Sequence, residues 1–233
     1  MSAAASITKP AHVEFRNATR VQEAITALLE RRVLLWFAQR TPDAISVDHL
    51  TAIGFGAQIL ASLFYALSGW NKYYLLLATF FIAMNWLGDS LDGTLARYRN
   101  RLRPRYGFYV DHVADTFGAV FLMSGLALSG FLHWQIAIGM LVGFLVLSIE
   151  SYLTTYTLGK FRMSYALFGP TEIRILLMIG NIALIFRPHA HLMGREFLLF
   201  DVGGAIAIAG MIGMAVVATV SHTARLYREE RLS

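Results

Sequence analysis

The sequence contains no cysteine and carries little charge. Of its 233 residues, 15% are charged and 56% are hydrophobic, and the mean hydropathy is +0.53. Ordinary soluble domains are about a quarter charged, so this chain has more apolar surface than one globular core can bury. The lack of cysteine excludes disulfide bonds, thiolate nucleophiles and cysteine-ligated metal centres. The abundance of Phe, Leu and Ile excludes a disordered chain. These limits favour a polytopic membrane protein.

Long apolar stretches predict where the chain crosses the membrane. A spanning helix needs about 17–25 mostly apolar residues, and six stretches have that length: 50–69, 73–97, 106–129, 133–157, 171–187 and 202–224. Residues 17–40 show apolar side chains at helical spacing with charged ones between them, which indicates an amphipathic helix at the interface. We therefore predict an all-α fold, in which residues 1–233 form a single membrane-embedded domain with six transmembrane helices and an N-terminal interfacial helix.

The basic residues predict the orientation. With both termini in the cytoplasm, 17 of the 20 Lys and Arg lie on the inner side, and three lie on the outer side: Lys72, Arg187 and Arg195. Such a bias is the usual signature of cytoplasmic loops, and it predicts a multi-pass protein of the cell (inner) membrane. Five arginines fall in residues 97–105, but this segment is a short loop between two spans. We therefore expect the lipid bilayer, and no nucleic acid, as a partner.

Four carboxylates fall in or beside the second and third spans, where charge is rare unless it is paired or functional. At 100° per residue, one helix face carries Asp89, Asp92, Gly93 and Ala96, with Arg97 at its edge. The next span gathers Gly107, Asp111, Asp115 and Gly118 within one sector. A short loop makes these helices antiparallel neighbours, so the two acidic faces are expected to meet at the cytoplasmic end.

Facing carboxylates cannot all stay ionised without cations. Oxygen ligands in this number suit Mg²⁺ or Mn²⁺, and two such ions about 3.5–4 Å apart are the arrangement that serves phosphoryl transfer. Arg97 and the loop after it offer positive charge to phosphate oxygens. Two other interpretations stay open: carboxylates simply paired with the loop arginines, and a cation or proton transporter that uses the same side chains.

The pattern Asp89-x2-Asp92-Gly93-x2-Ala96-Arg97, followed by Gly107-x3-Asp111-x3-Asp115, resembles the signature of the CDP-alcohol phosphotransferases (CDP-alcohol phosphatidyltransferases). All eight signature residues match. The intervening loop, residues 98–106, holds nine residues where the family pattern usually has eight. The resemblance implies a six-helix membrane enzyme, a homodimer, whose active site opens to the cytoplasm.

The resemblance also implies residue roles. Asp89, Asp92 and Asp111 are expected to bind two Mg²⁺ or Mn²⁺ ions, and Asp115 to deprotonate the acceptor hydroxyl and contact the second metal. The expected contacts of the donor nucleotide are Asp48, His49, Leu50, Thr51, Gly93, Ala96, Arg97 and Gly107.

The implied reaction moves a substituted phosphate group from a CDP-linked donor to an alcohol and releases CMP. CDP-diacylglycerol with a small polyol or polyol phosphate is the favoured pairing, and a CDP-aminoalcohol with diacylglycerol is the alternative. Basic residues after the fourth span fit the first pairing, and the segment Gly169-Pro170-Thr171-Glu172 resembles the second. The candidate acceptor residues are Glu150, Lys160, Arg162, Glu172 and Arg174.

Overall fold

The computed structural model describes residues 19–21, 27–162, 170–192 and 194–230. Within these ranges the chain forms seven helices and four short strands. In chain order they are β1 (Thr19–Val21), α1 (Ala27–Arg40), α2 (Val47–Ser68), α3 (Tyr74–Tyr98), α4 (Pro104–Leu128), α5 (Trp134–Leu158), β2 (Lys160–Arg162), α6 (Pro170–Phe186), β3 (His189–Leu192), β4 (Arg195–Leu198) and α7 (Leu199–Glu229).

Helices α2 to α7 occupy the six stretches in which spans are predicted. Four of the described helices, α2, α3, α5 and α7, are long and apolar enough to cross a membrane. The other two differ for visible reasons, since α4 carries Asp111 and Asp115 and α6 has only 17 residues. The described chain is therefore an all-helical protein of the integral membrane type, and membrane crossing by α4 and α6 stays a prediction.

Within the predicted helix over residues 17–40, the structure describes a helix from Ala27 to Arg40. Thr19–Val21 forms β1 and pairs in parallel with β2, with Thr19 opposite Lys160 and Val21 opposite Arg162. The prediction of helix was therefore wrong over these three residues, because pairing with a distant segment leaves no trace in local apolar spacing. Residues 17–18 and 22–26 of the predicted helix lie outside the described part of the chain. The interfacial location of α1 stays a prediction.

Two glycines let α2 and α3 pack backbone against backbone. A Cβ atom placed on Gly88 would lie 2.7 Å from both the Cα and the N of Gly54. Asn85 strengthens the crossing, because its Nδ2 donates a 3.0 Å hydrogen bond to the carbonyl oxygen of Gly54. The residue after Gly88 is Asp89, so this crossing determines where α3 presents its first carboxylate.

Helix α2 also packs against α4, and α1 packs beside α3. On the α4 side, the Ser62 hydroxyl donates a hydrogen bond to the carbonyl oxygen of Phe121. On the α1 side, a cluster of buried apolar residues joins three helices: Leu34, Ala38, Leu50, Leu91 and Leu95. A larger buried cluster lies toward the opposite end of α2 and α3 and includes Tyr65, Leu75 and Ile82. The acidic end of α3 is thereby held between α1 and α2.

Candidate active site

Helices α3 and α4 bring three of the four aspartates to one cavity. Asp89, Asp111 and Asp115 line it, and α2 and α6 close its sides. The complete lining is Thr51, Gly54, Phe55, Gln58, Asn85, Asp89, Asp111, Ala114, Asp115, Gly118 and Arg174. Glycine and alanine at three of these positions keep the walls close to the backbone. The cavity therefore brings carboxylate groups from α3 and α4 together between closely spaced helices.

The fourth aspartate is connected to the cavity through α2. The hydroxyl of Thr51, a lining residue, donates a 2.6 Å hydrogen bond to Oδ2 of Asp92. Asp92 and Asp89 lie on the same face of α3, because three residues advance a helix by about 300°. Thr51 thus orients the Asp92 carboxylate at the edge of the cavity.

Arg174 reaches the carboxylates from α6. Its Nη2 donates to Oδ2 of Asp89 at 2.8 Å, and the two side chains are only 15% and 27% exposed. A partly desolvated pair of opposite charges interacts more strongly than a surface pair. The guanidinium therefore offsets part of the negative charge that Asp89, Asp111 and Asp115 bring together.

The residues at the start of α2 that are predicted to contact the nucleotide lie in different environments. The carboxylate of Asp48 is half exposed and forms an ion pair with Arg103. His49 closes a capping box with Ser46, in which each residue accepts a 3.2 Å hydrogen bond from the backbone N–H of the other. Leu50 is buried in the cluster shared with α1 and α3. Thr51 lines the cavity, whereas Asp48, His49 and Leu50 are not among its described lining residues.

The remaining predicted nucleotide contacts lie at the end of α3 and the start of α4. A Cβ placed on Gly93 would lie 3.6 and 3.8 Å from the two terminal guanidinium nitrogens of Arg97. Arg97 donates from Nη2 to the Thr94 hydroxyl at 3.2 Å. Ala96 is buried, and a Cβ on Gly107 would find open space within 4 Å. Gly93 therefore presents bare backbone beside the Arg97 guanidinium, and Gly107 presents bare backbone to open space, both of which suit the approach of a phosphate group.

The candidate acceptor residues are not all brought together. Arg174 lines the cavity, whereas Glu150 lies between α5 and α7, where its Oε1 is 2.5 Å from Nδ1 of His222 and accepts a 2.9 Å hydrogen bond from Thr154. Glu172 is buried and is not among the cavity-lining residues within the described chain. Lys160 and Arg162 are placed on β2, but their side chains lie outside what the structure describes.

The structure adds residues to the site that the sequence analysis missed. Gln58 and Asn85 line the cavity, and Gln58 donates from Nε2 to the carbonyl oxygen of Gly118 at 3.4 Å. Helical spacing could have found them, because Gln58 follows Thr51 by seven residues and Asn85 precedes Asp89 by four. Glu30 of α1 also reaches this region, and no spacing within one helix could have indicated it.

The carboxylates of the cavity are suitable ligands for a divalent cation, although they are not arranged as a complete metal site. In the described ranges, no three acidic or histidine side chains are grouped closely enough to hold an ion. Carboxylates are nevertheless the ligands that Mg²⁺ and Mn²⁺ prefer, and three of them share one cavity. Arg174 occupies one oxygen of Asp89, so binding of a cation by both oxygens of this carboxylate requires the guanidinium to move.

Comparison with known proteins defines the class. A family model described as CDP-alcohol phosphatidyltransferase matches residues 31–220, and the chain belongs to this family. It is therefore a membrane transferase of substituted phosphate groups, and the family is generally dependent on divalent metals. A similar protein is the archaetidylinositol phosphate synthase of Pyrococcus horikoshii, which is 29% identical over 145 residues, covering 61% of this chain and 68% of the relative. These matches support a role in phospholipid biosynthesis.

Proposed function

We propose that the protein transfers a phosphatidyl group from CDP-diacylglycerol to a hydroxyl of a polyol phosphate and releases CMP. The observation that carries this proposal is the cavity shared by Asp89, Asp111 and Asp115, with the guanidinium of Arg174 beside them. Carboxylates there supply both ligands for divalent cations and a base, and the arginine supplies a partner for phosphate oxygens. Membership in the family supports a CDP-linked donor.

In the proposed reaction, Asp115 accepts the proton of the acceptor hydroxyl. The hydroxyl oxygen then bonds to the β-phosphorus, which carries the lipid, and the bond from that phosphorus to the bridging oxygen breaks, so that CMP leaves with the bonding electrons. Asp89, Asp92 and Asp111 would hold divalent cations, which when bound neutralise the diphosphate and improve CMP as a leaving group. Thr51 orients the Asp92 carboxylate.

A phosphorylated acceptor is favoured over an aminoalcohol pairing by two observations. Arg174 projects into the cavity, where a guanidinium can bind a phosphate through two parallel hydrogen bonds. Glu172, the carboxylate that would suit a cationic head group, is buried and apart from the lining residues described. The name of the relative from Pyrococcus horikoshii specifies archaetidylinositol phosphate as its product, which supports inositol phosphate as the first acceptor to try.

The proposal includes six membrane spans, an interfacial α1, and both termini and the active site on the cytoplasmic side. The distribution of 17 of the 20 basic residues supports this orientation. On α1 the side chains of Leu28, Leu29 and Trp36 are exposed, which suits burial among lipid head groups. A homodimer is proposed from the family resemblance alone.

The test is release of labelled CMP by purified protein. CDP-diacylglycerol is offered with inositol phosphate, glycerol phosphate, inositol or serine, and CDP-choline or CDP-ethanolamine is offered with diacylglycerol. We expect transfer to a polyol phosphate that stops with a chelator and returns with Mg²⁺ or Mn²⁺. Transfer to no acceptor, or release undiminished by the chelator, would contradict the proposal. Cation flux in proteoliposomes without CMP release would instead support the transporter.

The base assignment has its own test. Asp115→Asn keeps the size of the side chain but removes its ability to accept a proton, so we expect CDP and Mn²⁺ binding to persist while turnover falls by about two to four orders of magnitude. Binding is measured by calorimetry and turnover by CMP release. Transfer at the normal rate by this variant would show that another group takes the proton.

A further inference from the structure

Helix α1 places a carboxylate behind the cavity. Oε1 of Glu30 accepts hydrogen bonds from Nε1 of Trp86 at 3.2 Å and from the hydroxyls of Ser90 and Thr171 at 3.0 Å each. Trp86 and Ser90 belong to α3, and Thr171 belongs to the first turn of α6. One oxygen of Glu30 thus joins the two helices that carry Asp89 and Arg174.

The second oxygen of Glu30 is in a different situation. Oε2 is buried, and no described residue donates a hydrogen bond to it. Burying a carboxylate oxygen without a donor is unfavourable, and an arrangement of this kind is rare in folded proteins. A donor that reached Oε2 in another state of the site would remove this unfavourable contribution.

Arg174 is the donor placed to reach it. Thr171 and Arg174 are three residues apart on α6 and project from the same side of the helix, and Thr171 already contacts Glu30. The guanidinium interacts electrostatically with Glu30 as well as with Asp89 and Asp115. Its Nη2 donates a hydrogen bond to Asp89. Because a guanidinium carries five N–H donors, a small movement would let it donate to a different carboxylate.

We propose that Arg174 exchanges one hydrogen bond, which it gives to Asp89 as in the structure and to Oε2 of Glu30 when a divalent cation binds Asp89, while its other N–H donors stay available to a phosphate in the cavity. Glu30 is then a positioning residue, which acts on the cation site through Arg174. The inference rests on the assignment of Asp89 as a cation ligand in the proposed function. Its physical basis is that a buried guanidinium is costly to leave unpaired, so Asp89 is released more easily when a second carboxylate receives the arginine.

The experiment is a double-mutant cycle on Mn²⁺ affinity, measured from the electron paramagnetic resonance signal of free Mn²⁺ with the full-length protein and no substrate. We expect Glu30→Gln to weaken binding about tenfold and Arg174→Gln to tighten it about fivefold, within the usual range of coupling between sites. In the Arg174→Gln background, Glu30→Gln should change the affinity less than about twofold. Thr171→Val is the control, because it removes a donor to Glu30 while both charges remain, and it should leave the affinity within about twofold.

The outcomes distinguish failure of the partner exchange from failure of the cation assignment. Equal weakening by Glu30→Gln in both backgrounds would assign Glu30 a purely structural role and overturn the exchange, as would unchanged binding in the single variant. If Glu30→Gln yields no folded protein, the Arg174→Gln variant decides, since weaker Mn²⁺ binding by it contradicts competition for Asp89. Failure of the wild-type protein to bind Mn²⁺ would overturn the cation assignment itself and the inference with it, whereas normal binding with no coupling would overturn the inference alone.

Discussion

The close contact of α2 and α3 predicts that Gly88→Ala damages catalysis more than it damages the fold. The added Cβ would lie 2.7 Å from the Cα and N of Gly54 and 2.8 Å from the carbonyl oxygen of Leu50. Carbon atoms in contact are ordinarily about 3.5–4.0 Å apart, and all three obstacles are backbone atoms, which cannot rotate away. The helices must therefore separate by about 1 Å, and Asp89 moves with α3.

The expected loss of stability and the expected loss of turnover differ in size. Overpacking costs about 1–3 kcal/mol, and replacing a helical glycine by alanine offsets about 1 kcal/mol of this, so we expect a net loss of about 0–2 kcal/mol in the free energy of unfolding. A displacement of about 1 Å in a catalytic group can reduce turnover about 100-fold, which corresponds to about 2.7 kcal/mol in activation free energy. Turnover should therefore fall well beyond what the fraction of unfolded protein explains.

The assays are thermal unfolding in detergent and the rate of CMP release, and α2 supplies the controls. A Cβ on Gly56 would meet nothing within 4 Å, so Gly56→Ala should be neutral or slightly stabilising and fully active. A Cβ on Gly54 would lie 3.1 Å from the backbone N of Asp89, so Gly54→Ala should be intermediate. Turnover by Gly88→Ala equal to that of Gly56→Ala would refute the argument that this crossing positions the carboxylates.

Three further predictions concern individual hydrogen bonds. Thr51→Val removes the donor to Asp92, and since a hydrogen bond to a charged group is worth about 1.5–3 kcal/mol, kcat/KM for CMP release should fall at least about tenfold with little change in thermal stability. Tyr65→Phe leaves the buried Oδ1 of Asn181 without its 2.8 Å partner, so the free energy of unfolding should fall by about 1–3 kcal/mol, and an unchanged melting temperature would contradict this. Arg99→Gln weakens three hydrogen bonds from the guanidinium to carbonyl oxygens of the α1–α2 connection, so limited proteolysis should cut that connection faster than in the wild type.

Hydropathy was sufficient to locate helices α2 to α7, and helical periodicity was sufficient to assign each aspartate to a helix face. Both are local properties, because a long apolar stretch has to satisfy its backbone internally and a residue's face follows from its number along the helix. Asp89, Asp111 and Asp115 line one cavity, which agrees with that reasoning about faces. Their catalytic and metal-binding roles stay predictions.

Contacts between distant segments could not be obtained in this way. The pairing of β1 with β2 and the reach of Glu30 to α3 and α6 depend on how elements assemble, which the spacing within one element does not encode. Glu150 illustrates the same limit, because its position along α5 suggested a place near the site. Its side chain is directed to His222 on α7 instead, and only the packing of α5 decides between these neighbours.

If α6 crosses the membrane, as we predict, its described length has a consequence for the surrounding bilayer. At about 1.5 Å per residue, its 17 residues extend about 26 Å, less than the hydrocarbon thickness of about 30 Å, whereas the 31 residues of α7 extend about 46 Å. A lipid bilayer adapts to a short span by thinning locally. Since Arg174 lies in the second turn of α6, such thinning would bring lipid head groups down to the level of the cavity and shorten the path by which a lipid substrate enters from the side.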